Sequence, residues 1–144
     1  IAYPLLFVVA CIILIKNQGE VWAKLEAGTA DYFRRIDRTS VSFDLILHNI
    51  TEAARIRPLV IQSLFLRLEG APPSPEELDA FCQRLVEILS AGGQLRLVQV
   101  YTVARRPAES TVRPLSDAEV DAIAQLVERR VGVPARAYYG VANP

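Results

Sequence analysis

The chain has 144 residues, 51% of them hydrophobic, which is enough for one domain with a sizeable core. Sixteen basic residues balance sixteen acidic ones, and the net charge of zero removes any electrostatic argument for nucleic acid or an anionic membrane surface as partner. Two cysteines, Cys11 and Cys82, are too few and too far apart for a disulfide framework or a cysteine-built metal site, so each reads as a reduced thiol among apolar neighbours.

The first element, Ile1 to Ile15, is a run of fifteen uncharged residues. A membrane span needs about 20 apolar residues, so the run is short, and a buried element of a cytoplasmic protein is the expectation. A membrane anchor is the alternative. No basic residue precedes the run and no small-residue cleavage site follows it, so a signal peptide is unsupported. The chain starts on isoleucine and contains no methionine, so a longer parent is expected.

Next comes "VWAKLEAGT", Val21 to Thr29, read as a strand. Alternation puts Trp22, Lys24 and Glu26 on one face and Val21, Ala23 and Leu25 on the other. A buried lysine and glutamate are costly unless they are paired or hold a ligand. A short helical turn, "ADYFRRI", follows, and then a helix over about Ser42 to Arg55 with Phe43, Ile46, Leu47 and Ile50 on one stripe. His48, the only histidine, lies in that helix and reads as structural or surface rather than metal-binding.

"LVIQSLFL" from Leu59 is the second strand. "SPEEL" then opens a helix, with Ser74 as cap, Pro75 in the first turn and Glu77 closing a capping box. Leu78, Phe81, Cys82, Leu85, Ile88 and Leu89 form its core stripe, and Gly92–Gly93 ends it. "LRLVQVY" from Leu95 is the third strand. A last helix starts at "SDAE" with a box from Ser116 and Glu119, turns Val120, Ile123, Ala124 and Val127 inward, and stops at Gly132. "ARAYY" from Ala135 is the fourth strand.

Strands alternating with helices about 35 to 40 residues apart argue for an α/β fold with a parallel sheet and crossover helices. A doubly wound sheet and a barrel both satisfy that pattern. Strands covered on both sides should be almost continuously apolar, yet Lys24 and Glu26, Gln62, and Gln99 with Tyr101 put polar groups on one face of three successive strands. That favours the wall of a barrel or half-barrel with a polar interior. Ligands in parallel folds sit at the carboxyl ends of the strands, where the long polar loops of this chain also lie.

The segments "VWAKLEAGT", "RPLVIQSLF", "GGQLRLVQVYTVARRPAES" and "RPLSDAEVDAIAQLV" resemble, in order and spacing, the C-terminal half of radical S-adenosylmethionine (radical SAM) proteins. The likeness is to an iron–sulfur oxidoreductase-like group that carries "K-L-D-A-G-T", "P-V-V-I-Q-S-L-F" and "V-Q-V-Y-T-V-A-R-x-P-A-E". It spans about residues 20 to 139. It divides the chain into an apolar segment, 1–19, and a C-terminal half-barrel, 20–144. The resemblance implies a partial (β/α) barrel in which the first three strands read above are the fourth, fifth and sixth. It also implies S-adenosylmethionine and a [4Fe–4S] cluster as cofactors. Later strands of the family help to seat S-adenosylmethionine, and the matching positions are Lys24, Glu26, Gln62, Ser63, Gln99 and Tyr101, with Arg105 in the following loop.

The family holds its cluster through CxxxCxxC, and this sequence has no such motif. Three thiolates are needed, which Cys11 and Cys82 cannot supply. The chain therefore resembles a fragment or degenerate copy of the distal half of such an enzyme, inactive by itself. The alternative is a non-catalytic α/β module that binds a small ligand or a protein.

Overall fold

A computed structural model describes residues 19–103 and 111–140. The apolar run Ile1–Ile15, Cys11 and Arg105 lie outside the described residues. The elements are β1 (Val21–Lys24), α1 (Ala30–Asp37), α2 (Phe43–Ile56), β2 (Leu59–Leu64), β3 (Leu66–Leu68), α3 (Pro75–Ser90), β4 (Leu95–Tyr101), β5 (Val112–Pro114), α4 (Asp117–Val131) and β6 (Ala135–Tyr138).

The four strands of the regular beat form one parallel sheet in the order β1-β2-β4-β6. Every connection within it is helical, as parallel neighbours require. One feature was not expected from the sequence: β3 and β5 pair antiparallel as a separate two-stranded ribbon, with Arg67 opposite Arg113.

The sheet has one covered and one open face. Val21, Ala23, Leu25, Leu59, Ile61, Phe65, Val98 and Val100 are buried together with Ile50, Phe81, Leu85, Ile88, Val120 and Val127 of the helices. On the opposite face Trp22 is 46% exposed, Lys24 and Arg136 are exposed, and Gln62, Gln99 and Tyr101 are half-buried. The helices thus pack on one face, and the other is open along its polar positions although Val60 on it is buried; four strands in a row do not close a barrel.

The helix ends follow the local chemistry. Thr29, Ser42, Ser74 and Ser116 each cap a helix through a side-chain oxygen. The box at α4 is complete: Glu119 N–H donates to Ser116 Oγ at 3.2 Å and Ser116 N–H to Glu119 Oε2 at 2.8 Å. Val120, Ile123, Ala124 and Val127 are its buried residues, and Gly132 ends it in the left-handed conformation.

At α3 the box is only half formed. Glu77 N–H donates to Ser74 Oγ at 3.1 Å, but the Glu77 carboxylate turns away from Ser74. It accepts from Gly28 N–H at 2.5 Å, Thr29 N–H at 3.2 Å and Thr29 Oγ1 at 2.7 Å. A long-range contact has taken the side chain that the local motif claims. Among the described residues no helix is long and apolar enough to cross a membrane.

Candidate functional site

A side chain's face in a strand is fixed by parity, and its neighbours by register. Lys24 stands opposite Gln62, Gln62 opposite Gln99, and Gln99 opposite Arg136. The four lie in one row across the open face. Gln62 Nε2 donates to Gln99 Oε1 at 3.4 Å, a weak bond that leaves both amides with unused capacity. One step toward the carboxyl ends, Leu64, Tyr101 and Tyr138 form a second row. One step toward the amino ends from the first row the side chains are apolar, with Trp22 opposite Val60 and Val60 opposite Leu97.

The structure brings together Lys24, Gln62, Gln99 and Tyr101 of the residues singled out in the sequence. Ser63 is not with them. It follows Gln62 directly, so alternation turns it to the covered face, where it is 0% exposed and its hydroxyl has no hydrogen-bond partner among the described residues. Arg105 falls outside the described residues.

Glu26 lies just beyond the end of β1 and is 7% exposed. Its pKa is raised from 4.5 to about 7, first by burial and then by a hydrogen bond to Asp37 and that group's charge, with Lys24 pulling the other way. The Tyr101 hydroxyl is also pushed up, by burial and by the charge of Glu26. The polar end of β1 therefore faces a second carboxyl from α1 as well as Lys24.

Two members of this region escaped sequence reading. Arg136 could have been found, because parity in "ARAYY" puts it on the same face as Tyr138. Asp37 gives no such signal, since it reaches Glu26 only through the fold. Cys82 is buried in the core of α3, where desolvation raises its thiol pKa. Among the described residues no three His, Cys, Asp or Glu side chains gather as metal ligands.

No protein-family model matches the sequence, and no curated protein matches it. Among solved structures the fold is similar to that of a radical SAM methyltransferase from Sphaerobacter thermophilus. The TM-score is 0.66 at 16% identity, over 92% of this chain and 38% of that one. The chain spans well under half the length of that protein. The likeness is one of fold: a parallel α/β sheet with crossover helices.

Proposed function

We propose that this chain supplies distal strands of a radical SAM-type partial barrel, and that its open face helps to seat S-adenosylmethionine and substrate. The observation that carries this reading is the register that sets Lys24, Gln62 and Gln99 in one row, with Tyr101 one step nearer the carboxyl ends. The fold likeness supports it independently. Lys24, Gln62, Gln99 and Tyr101 would hold the ligand's polar groups, for which half-used amides, an ammonium and a phenol are suitable donors and acceptors.

The cluster is a different matter. Its thiolates are not available in this chain, because CxxxCxxC is absent and Cys82 is sealed in the core. Reductive cleavage of S-adenosylmethionine, the chemistry that the cluster supplies, is therefore not assigned to these residues. Their part is to bind and orient.

The missing cysteines also favour a second reading, a non-catalytic α/β module that uses the same face. Both outer strands, β1 and β6, have an unpaired edge among the described residues, and exposed edges promote aggregation. A full chain that unfolds in one cooperative transition at micromolar concentration supports the module. One that aggregates until preceding strands are supplied supports the barrel piece.

Isothermal titration of the full chain with S-adenosylmethionine tests the ligand. Saturable binding, weakened about tenfold or more in Gln62→Leu and Gln99→Leu, is expected. Gln62→Leu should meanwhile leave thermal stability unchanged or slightly raised, because a half-exposed amide aimed at a ligand is poorly satisfied without it. Absence of binding at millimolar ligand by folded protein would overturn the assignment, and a clear loss of stability would mark Gln62 as structural.

A further inference from the structure

At the edge of the sheet, where β1 ends, lies a cavity of about 510 Å3. Trp22, Phe33, Ile46 and Ile50 give it apolar walls, and Glu26 and Asp37 line it together. We propose that this cavity binds a small organic cation, a primary ammonium carried on an aromatic or aliphatic body. The site shares Lys24 with the residues assigned above but stands on its own geometry.

The choice of ligand follows from what the two carboxyls lack. Glu26 is almost fully buried, and the residue that lines the cavity with it is another acid, Asp37. Among the described residues no N–H group donates to Glu26, and burial together with the neighbouring Asp37 carboxyl favours a proton on it, with Lys24 pulling the other way. An ammonium has three donors. It can displace that proton, bond both carboxylates and lay its apolar body on the Trp22 side of the cavity, where the indole face also attracts a cation. An anion is repelled by the same pair, and a neutral molecule gains only apolar contact.

A metal ion fits less well. Two carboxylates are too few ligands, and Lys24, which lines the same cavity, opposes a compact double charge. Among the described residues the ionisable groups acting on Glu26 are Asp37 from α1, Lys24 from its own strand and Tyr101 from β4. The cavity residues from α2, Ile46, Asn49 and Ile50, carry no charge. Protonation at Glu26, raised to about 7, therefore sets the pH dependence of binding.

Titration calorimetry of the full chain with 2-phenylethylammonium tests this, with 2-phenylethanol and 3-phenylpropanoate as neutral and anionic counterparts. The ammonium alone should bind, about tenfold more tightly at pH 8 than at pH 6 because one proton is displaced. Glu26→Gln and Asp37→Asn should each weaken it about tenfold or more. Ile46→Trp, which fills the cavity and leaves the carboxyls in place, should abolish it and serves if a carboxyl variant misfolds. Equal binding of the alcohol or the carboxylate, ammonium binding unmoved by Glu26→Gln, or none at millimolar ligand would each refute the site. Loss of S-adenosylmethionine binding in Gln62→Leu with ammonium binding intact would separate the two ligand assignments.

Discussion

Glu26 and Glu77 flank the same short loop after β1 and are buried alike, 7% and 6% exposed. Glu77 comes to it from the first turn of α3 and meets three donors: the N–H groups of Gly28 and Thr29 and the Thr29 hydroxyl. Glu26 meets a carboxyl instead. Burial alone therefore says little about what a glutamate does. A carboxylate that meets donors locks the fold, while one that meets another acid is held ready for a proton or a cation.

The largest effects should come from breaking the lock. Glu77→Ala strips the buried Gly28 N–H of its acceptor and removes a tie between β1 and α3, at a cost of roughly 3 kcal/mol. Gly28→Ala should cost about 3 kcal/mol or more, because a Cβ there would lie 2.1 Å from the backbone nitrogen of Phe81. The neighbour is helix backbone, so no side-chain rotation relieves the clash. Urea unfolding of both variants measures this, and a loss below about 1 kcal/mol in each would erase the contrast with Glu26.

Glu26 should behave in the opposite sense, and pH reveals it. Its folded-state pKa, about 7, lies above the ordinary 4.5, so the folded chain holds a proton that the unfolded chain has released. Stability from this group is full below about pH 4.5 and is lost as pH climbs through 7. The loss should reach about 2 kcal/mol at pH 8, below the full linkage value because solvent at the end of the strand screens the penalty. Glu26→Gln should flatten the slope between pH 5 and 7 and make the chain more stable than wild type at pH 8. Parallel slopes in the two proteins would mean that Glu26 and Asp37 are not held against each other.

Much of the fold could be read in the sequence because it is written in local signals. The four strands at a regular beat, the Ser116–Glu119 box and the inward stripe of α4 all stand where periodicity and capping rules put them. Ser74 and Glu77 show the limit. The same two residue types at the same spacing form only half a box, because Gly28 and Thr29 offer Glu77 better donors from 48 and 49 residues away. The site divides in the same way. Parity along the strands put Lys24, Gln62, Gln99 and Tyr101 on one face, whereas the Glu26–Asp37 contact depends on how α1 lies against the end of β1 and leaves no trace in either segment.

Ser63 extends the comparison to a polar group with no hydrogen-bond partner among the described residues. Parity separates it from Gln62, and on the covered face its hydroxyl is fully enclosed and unbonded. Glu77 has three donors and Glu26 a neighbouring acid, while Ser63 has neither among the described residues. An unmade hydrogen bond of this kind costs about 1 kcal/mol or more, and loss of the small oxygen leaves a void that returns part of it. Ser63→Ala should therefore raise stability by roughly 0.5 kcal/mol, the smallest of the three effects, and should leave S-adenosylmethionine binding untouched. A destabilised Ser63→Ala chain would mean that the hydroxyl has a partner after all. A loss of ligand affinity would put Ser63 on the binding face and undo the parity argument on which the row of polar side chains depends.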